Sequence, residues 1–140
     1  MDKTYHLAID LGATSGRSIL AGYDGDNVVM SELTRFHYPM LPIRGHLFWN
    51  LPLIYQEVIK AMKAAAEKLS ESGSELSSIG IDTWGCDVAY FYADGSLAGL
   101  SYCYRDTHTE GAVDEYSTVV SRETVYGKTG IQFMDFNTLF

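Results

Sequence analysis

The sequence predicts an α/β domain with a mixed β-sheet, because its strand-like and helical segments follow one another in a particular order. Three strand-like segments joined by short turns come before the first helix, which indicates an antiparallel meander rather than strand–helix alternation. One long amphipathic helix and further strands follow. With 140 residues, of which 46% are hydrophobic and 13% aromatic, the chain is long and apolar enough to form one domain with a core.

The predicted meander comprises residues 5–11, 17–23 and 28–38. The first two segments are nearly continuous apolar runs, typical of buried strands, whereas the third alternates apolar and polar residues and should have one solvated face. The sequence Asp-Gly-Asp-Asn at 24–27 is a hairpin signal between the second and third strands. Residues 12–16 form the turn between the first two strands.

The next two segments are predicted to be a loop and a long helix. Residues 39–50 carry two prolines and a glycine and should form a loop whose Phe48 and Trp49 dock into the core. Over residues 53–72, apolar residues recur at helical spacing and predict an amphipathic helix of about five turns. Three residues give the expected signals for the ends of this helix. Asn50 is available as the N-cap, Pro52 is tolerated in the first turn, and Gly73 marks the end.

The second half of the chain is predicted to contain three more strands and a helix. A short strand runs through Ile79 and Ile81, and a break at Gly85 separates it from a strand of alternating aromatic residues that ends at an Asp-Gly turn. A further strand is expected over residues 100–106, and a helical stretch near residues 109–120.

Composition excludes several classes of function. Acidic residues outnumber basic ones 18 to 10, for a formal net charge of −8, which argues against binding to nucleic acid or to an anionic membrane surface. No apolar run approaches the roughly 20 residues that span a bilayer, and the N-terminus lacks the features of a signal peptide, so a cytoplasmic location is expected. Cys86 and Cys103, on what should be separate strands, are expected to be reduced thiols in or near the core.

The sequence Ile-Asp-Leu-Gly-Ala-Thr-Ser-Gly-Arg-Ser at residues 9–18 places an acid at the end of a strand, followed by a glycine-flanked turn. It fits neither the P-loop pattern nor G-x-G-x-x-G, and a strand follows it rather than a helix. Two interpretations stay open on this pattern. It is either an ordinary β-hairpin turn or a phosphate clamp whose backbone N–H groups face an anion, with Asp10 holding a metal ion or its waters.

Four blocks of the sequence resemble the N-terminal domain of the FGGY carbohydrate kinases, and within that family most closely the kinases of L-rhamnulose. They are "AIDLGATSGR" (8–17), "SIGIDTWGCD" (78–87), "YRDTHT" (104–109) and "GIQFMDFNTL" (130–139). The resemblance implies that residues 1–140 are a partial N-terminal kinase domain with an actin-like, ribonuclease-H-like fold. The family is several times longer, so the domain is expected to be incomplete at its C-terminal end and to work with a second domain.

The resemblance also implies a set of binding residues. The ATP phosphates would be bound by Ala13, Thr14, Ser15, Gly16 and Arg17, and Asp10 would orient Mg²⁺ or its waters. Gly85 matches the glycine that contacts the sugar in this family, and Trp84, Asp87 and Arg105 are nearby candidates for sugar binding. Structural roles are the alternative for several of these positions: Asp82 as a polar residue at a strand end, Trp84 as a core residue, and Arg105 with Asp106 as a surface ion pair.

The function that the resemblance implies is transfer of the γ-phosphoryl group of ATP to L-rhamnulose, giving L-rhamnulose 1-phosphate. The block that supplies the general base lies beyond residue 140 in the family, so no catalytic residue is expected in this chain, and the 140 residues alone should be inactive. Two alternatives remain open: a family kinase for another ketose or polyol, and a non-catalytic sugar-binding module on the same fold.

Overall fold

Six strands and three helices follow one another along residues 3–140, the part of the chain that the computed structural model describes. In chain order they are β1 (Thr4–Leu11), β2 (Ser15–Tyr23), β3 (Val28–His37), β4 (Leu41–Ile43), β5 (His46–Phe48), α1 (Leu51–Ser70), β6 (Ser78–Asp82), α2 (Ala112–Ser117) and α3 (Arg122–Thr129). They belong to two compact units. The first runs up to Pro39 and resumes over Asn50–Trp84, and the second comprises Met40–Trp49 and Gly85–Phe140.

The first unit is built on a four-stranded sheet in the order β3-β2-β1-β6. The strands β1, β2 and β3 form the predicted antiparallel meander, and β6 pairs in parallel with β1. A parallel pair needs a long crossover, which α1 provides. The predicted mixed sheet of an α/β domain is therefore confirmed.

One face of this sheet is buried, and the alternation of side chains along β1 decides which face it is. Leu7, Ile9 and Leu11 are buried, so the residues between them point to the opposite face. The helix α1 packs against β1 and β3. Its buried residues are Ile54, Ala61, Ala65 and Leu69, and this apolar stripe supplies the other half of the core.

The ends of α1 follow the signals in the sequence. The side chain of Asn50 accepts a hydrogen bond from the backbone N–H of Leu53 at 3.2 Å, and Pro52 lies in the first turn, where its missing N–H costs nothing. Gly73 follows the helix with φ of +66°, a conformation that glycine adopts easily. The predicted helix is confirmed, with its first residue two positions earlier than expected. Within residues 3–140 no helix is long and apolar enough to cross a membrane.

In the second unit, the expected loop at residues 39–50 contains a small hairpin, so that part of the prediction is wrong. Strands β4 and β5 pair around Arg44 and Gly45, whose φ values are +51° and +88°. Two consecutive residues with positive φ form the tight turn that suits antiparallel strands. The prediction that Phe48 and Trp49 are buried is confirmed, since they are 8% and 2% exposed.

Two predicted strands in the second unit are also wrong. The aromatic segment after Gly85 forms only an isolated bridge between Phe91 and Leu97, and residues 100–106 form only one between Phe48 and Tyr102. A strand needs a partner along its whole length to satisfy its backbone groups, and neither segment has one among the described residues. The aromatic side chains of the segment after Gly85 are largely exposed, with Tyr90, Phe91 and Tyr92 at 74%, 59% and 60%, so their alternation did not indicate a paired strand.

The helical prediction for residues 109–120 is correct only for the shorter span Ala112–Ser117, and a further helix, α3, was not predicted. The side chain of Ser121 caps α3 by accepting from the N–H of Thr124, and Gly130 ends it with φ of +64°. These are ordinary helix-end signals. They were missed because α3 has few apolar residues, so it lacks the periodic pattern on which the prediction relied.

Gly16 gives the first testable prediction. A Cβ atom at this position would lie 2.5 Å from two carbons of the Phe36 ring, whereas a Cβ at Gly80 of β6 would meet nothing within 4 Å. We expect Gly16→Val to lower the free energy of unfolding by about 1–3 kcal/mol through overpacking. The matched control Gly80→Val should change it by less than about 0.5 kcal/mol. Urea unfolding followed by tryptophan fluorescence measures both, and equal stability of the two variants would contradict the assignment of Gly16 to packing.

Candidate functional site

A row of charged side chains crosses the sheet of the first unit on the face opposite the core. The register pairs Asp10 of β1 with Arg17 of β2 on one side and with Asp82 of β6 on the other. Residues in register on neighbouring strands point to the same face. Two acids from parallel strands and one arginine therefore lie side by side at the end of the sheet where the turn of residues 12–14 begins.

Arg17 and Asp10 form an ion pair. The Nε and Nη2 atoms of Arg17 lie 3.0 and 2.9 Å from the same oxygen, Oδ2, of Asp10. The two side chains are 45% and 44% exposed, so the pair adds little to stability. An exposed guanidinium in such a weak pair can exchange its carboxylate partner for a phosphate without a large loss of folding free energy.

The turn before Arg17 is shorter than the sequence suggested. Strand β2 begins at Ser15, so Ser15, Gly16 and Arg17 belong to the strand, and only Ala13 and Thr14 of the five predicted phosphate-binding residues lie in the turn. The turn is closed by the N–H of Gly12, which donates to the carbonyl of Ser15 at 2.9 Å. Within residues 3–140, the N–H groups of Ala13 and Thr14 donate no backbone hydrogen bond. These two donors are the ones that an anion could use.

Tyr38, directly after β3, contacts this turn from the buried side. Its hydroxyl donates to the carbonyl oxygen of Gly12 and lies 3.0 Å from that of Ser15, and its own N–H donates to the carbonyl of Thr14 at 3.3 Å. Tyr38 is only 1% exposed. Sequence analysis missed it, although its spacing of two from the apolar Phe36 places it on the same face of the strand.

Trp84 ends the first unit. It is half-buried, and its ring centroid lies 6.1 Å from that of Tyr38 with the planes tilted by 42°. This contact agrees with the structural alternative for Trp84, which is packing of an aromatic side chain. Its predicted role in sugar binding stays a prediction.

In the second unit, Gly85 opens onto a cavity of about 440 Å³. A Cβ at this position would meet nothing within 4 Å, and the backbone does not have the positive φ that calls for glycine. Packing within the described chain therefore gives no reason for a glycine here. Thr138 lines the same cavity and its hydroxyl donates to the carbonyl of Cys86 at 2.8 Å. The wall is mainly apolar, with Val125, Ile131, Phe133, Leu139 and Phe140 among its residues.

Asp87 is held by structural hydrogen bonds. Its Oδ2 atom accepts from the indole N–H of Trp49 and from the backbone N–H of Tyr104, the latter at 3.2 Å. Asp87 also lines a second cavity of about 450 Å³ together with His108. A buried indole N–H needs an acceptor, so at least one oxygen of Asp87 already has a role in the fold.

Arg105 and Asp106 do not form the ion pair that was one interpretation of the sequence. Arg105 is exposed, and its guanidinium lies 5.5 Å from the centroid of the Tyr104 ring. Asp106 is buried, and its Oδ1 atom lies 3.1 and 3.0 Å from the Nδ1 atoms of His46 and His108. Adjacent residues in this irregular segment point in different directions, so sequence adjacency did not imply contact. Arg105 does not line the cavity next to Gly85.

The environment of Asp106 changes its acidity. Burial acts to raise the pKa, but the N–H of Leu47 at 2.6 Å, the ring of His46 and the N–H of His108 stabilise the carboxylate. Together these hydrogen bonds lower the pKa of Asp106 from 3.8 to about 2. Asp106 therefore ties β5 to the 104–108 segment as a charged group at neutral pH.

No group of three or more His, Cys, Asp or Glu side chains within residues 3–140 is arranged to hold a metal ion. Asp10 and Asp82 are two carboxylates in register, and Mg²⁺ usually takes one or two carboxylates together with substrate phosphates and water. The donor set therefore fits a magnesium ion that arrives with a nucleotide. It does not fit a site made by protein ligands alone.

Both cysteines are free, as predicted. Burial raises the pKa of the Cys103 thiol and that of the Cys86 thiol, which disfavours the reactive thiolate. Neither lies in a strand, so the expected location of both residues was wrong. The cause is that the two segments that contain them form only isolated bridges and not the predicted strands.

A model of the N-terminal domain of the FGGY family of carbohydrate kinases matches residues 5–140. The chain is 42% identical over 138 residues to a rhamnulokinase of Bacteroides thetaiotaomicron, which covers 99% of this chain and 28% of that protein. It is 40% identical to a rhamnulokinase of Mannheimia succiniciproducens, over 95% of this chain and 27% of the relative. The chain thus spans little more than a quarter of the length of the curated relatives it matches.

Solved structures of sugar kinases share the fold. The gluconate kinase from Lactobacillus acidophilus matches with a TM-score of 0.73 at 18% identity, over 93% of this chain and 25% of that one. The Plasmodium falciparum glycerol kinase with ADP matches with a TM-score of 0.77 at 18% identity, over 96% of this chain and 27% of that one. The predicted actin-like fold is thereby confirmed.

The lowered pKa of Asp106 predicts an acid-dependent stability. Because its pKa is lower in the folded chain than the ordinary 3.8, the carboxylate stabilises the fold fully above about pH 4 and loses this effect as the pH falls through about 2. At pH 7, Asp106→Asn should lower the free energy of unfolding by about 1–3 kcal/mol, and the difference from wild type should shrink towards pH 2. Urea unfolding at several pH values measures this. Asp26→Asn, an exposed acid in the turn after β2, is the control, and a difference that does not depend on pH would contradict the role of the charge.

Proposed function

Since the chain belongs to the FGGY family of carbohydrate kinases, we propose that it is the N-terminal part of an ATP-dependent kinase that phosphorylates L-rhamnulose. The substrate is inferred from the relatives, since the chain is 37–42% identical to three rhamnulokinases over 95–99% of its length. The geometric observation that carries the kinase assignment is the turn at Ala13 and Thr14, beside the row of Arg17, Asp10 and Asp82.

The phosphates of ATP would be bound by this turn. The N–H groups of Ala13 and Thr14 are the two donors left over by the turn, and Arg17 would move from Asp10 to a phosphate oxygen. Hydrogen bonds between a guanidinium and a phosphate are strong because both partners are charged. The hydroxyls of Thr14 and Ser15 add two further donors. Gly16 would contribute through the backbone only, since its side-chain position is occupied by the ring of Phe36.

Asp10 and Asp82 would hold the magnesium ion of the nucleotide. When bound, Mg²⁺ neutralises the charge that develops on the transferring phosphoryl group. The carboxylates of Asp10 and Asp82 would hold the ion from two neighbouring strands, and Asp10 would be free to do so once Arg17 had moved to a phosphate. In this arrangement the same ligand engages both members of the ion pair.

The sugar would lie against Gly85. Its missing side chain leaves the backbone open to a ligand, and the adjoining cavity is of the size that small molecules occupy. The apolar wall suits the methyl group of a 6-deoxy sugar, and Thr138 brings a hydroxyl to it. Trp84, Asp87 and Arg105 remain proposed contacts that rest on the family resemblance alone.

The hydroxyl oxygen of the sugar would attack the γ-phosphorus, the bond to the bridging oxygen would break, and ADP would leave. The proton of the attacking hydroxyl needs a base, which we assign to the part of the kinase beyond this chain. General bases contribute typically about 10²- to 10⁴-fold, so the 140 residues alone should not turn over. The second domain that completes the enzyme is likewise a proposal, as is the cytoplasmic location.

Substrate choice tests the proposal. In the intact kinase that contains this chain, a coupled ADP-release assay should give kcat/KM for L-rhamnulose at least about 100-fold above the values for xylulose, gluconate and glycerol, because a pocket shaped for one sugar loses several kcal/mol with another. Faster turnover of one of the other three would favour the alternative of a family kinase with a different substrate. Absence of ADP release with every sugar would favour a non-catalytic sugar-binding module.

Gly85 gives a prediction for the sugar side. Gly85→Leu in the intact kinase should raise the KM for L-rhamnulose at least about tenfold, the equivalent of the roughly 1–3 kcal/mol that an overpacked contact costs. The KM for ATP should change less than about twofold. Gly99→Leu is the matched control, because Gly99 lies in the same unit and a Cβ there also meets nothing within 4 Å. Sugar kinetics that are the same in both variants would remove Gly85 from the site.

A further inference from the structure

Tyr38 makes an unusual set of contacts for a residue next to a turn. The carbonyl oxygens of Gly12, Thr14 and Ser15 all accept hydrogen bonds from it or lie within hydrogen-bond distance of it. Two of these contacts come from the hydroxyl and the third from its backbone N–H. Two carbonyl groups of the turn and that of the first residue of β2 are therefore directed towards Tyr38.

A carbonyl that is held fixes the N–H group of the same peptide. In a trans peptide the C=O bond and the following N–H bond lie in the same plane and point in opposite directions. The carbonyl of Gly12 shares its plane with the N–H of Ala13. Since the Gly12 oxygen points inward to the Tyr38 hydroxyl, the N–H of Ala13 points outward.

This anchor matters because Gly12 precedes the peptide. Glycine has no side chain to restrict rotation, so the plane between Gly12 and Ala13 can flip at little steric cost. Among residues 3–140, the Gly12 oxygen accepts a hydrogen bond from the Tyr38 hydroxyl alone. The Ser15 oxygen, by contrast, also accepts from the N–H of Gly12. Loss of the hydroxyl would therefore release the Gly12–Ala13 peptide first.

The hydroxyl itself is held in place. Tyr38 is 1% exposed, and its ring packs between Phe36 and Trp84, with centroid distances of 5.9 and 6.1 Å. A ring fixed on two sides leaves the hydroxyl few alternative positions. The turn is thus fixed from the core of the first unit, although its own residues are partly exposed.

We infer that Tyr38 is a positioning residue that orients the Gly12–Ala13 peptide so that the N–H of Ala13 is presented to a nucleotide phosphate. This inference rests on the proposed function, since it assigns a purpose to the outward N–H. Tyr38 does not touch the ligand. It acts by removing the cost of ordering the turn when the phosphate binds.

The test replaces the hydroxyl and keeps the ring, with Tyr38→Phe. In the intact kinase the KM for ATP should rise about threefold to tenfold, the effect expected from one lost hydrogen bond, while the KM for L-rhamnulose should stay within about twofold. Tyr55→Phe is the control, because Tyr55 lies on α1 of the same unit and is 67% exposed. Equal changes in both KM values, or none in either, would overturn the inference.

A second measurement does not depend on catalysis. In the intact kinase labelled with ¹⁵N at its alanines, MgATP should shift the amide resonance of Ala13, and Tyr38→Phe should reduce that shift by at least about half at equal saturation. Arg17→Ala distinguishes a failure of the proposed phosphate site from a failure of the role inferred for Tyr38. If Arg17→Ala leaves ATP affinity unchanged, the phosphate site itself is wrong. If only Tyr38→Phe leaves the Ala13 amide unchanged, the phosphate site stands and the role of Tyr38 is wrong.

Folding of the variant is checked independently. The unfolding midpoint in urea should show that Tyr38→Phe folds, since the ring contacts remain. If Tyr38→Phe does not fold, the hydroxyl proton of Tyr38 is measured in the wild-type chain instead. A Tyr38 hydroxyl proton in slow exchange with water and close to the Gly12 α-protons would support the inference, and a rapidly exchanging one would overturn it.

Discussion

The pairing of β1 with a strand on each side is the constraint on which the first unit depends. Because Leu7, Ile9 and Leu11 face the core beneath α1, Asp10 must face the other way. The hydrogen-bonded register then places Arg17 and Asp82 beside it. A shift of one residue in this register would expose the three apolar side chains and bury the acid, so the energy that forms the core also assembles the charged row.

The turn next to this row shows how packing and binding share the same few residues. Gly16 is a glycine because the Phe36 ring occupies the space of its side chain. Tyr38 follows β3, two residues after Phe36, and is buried as Phe36 is. The carbonyl groups of Gly12 and Thr14 accept hydrogen bonds from Tyr38, while the N–H groups of Ala13 and Thr14 donate no backbone hydrogen bond within the described residues. A turn built in this way offers backbone donors beside Arg17, in a chain whose net charge is −8.

In the second unit, some of the candidate binding residues have a structural role and others have none. Asp87 and Asp106 both attract attention as acids near the sequence motifs, yet both accept hydrogen bonds that the fold requires. Gly85 is the opposite case, since neither its conformation nor its neighbours require a glycine. Gly99 has the same open surroundings, so it is the cavity beside Gly85 that makes Gly85 the better candidate for a ligand contact.

The sequence by itself determined the meander, the long helix with its Asn50 cap and the short strand after it. These elements have strong periodic patterns and local end signals, and such signals act over a few residues. Tertiary structure alone decided where β2 begins, that Arg105 and Asp106 point apart, and that Tyr38 holds the turn. Each of these depends on partners distant in the chain, such as His46 for Asp106 and Gly12 for Tyr38. The aromatic segments after Gly85 show the same limit, because alternation describes a side-chain pattern, while a strand also needs a neighbouring backbone to pair with.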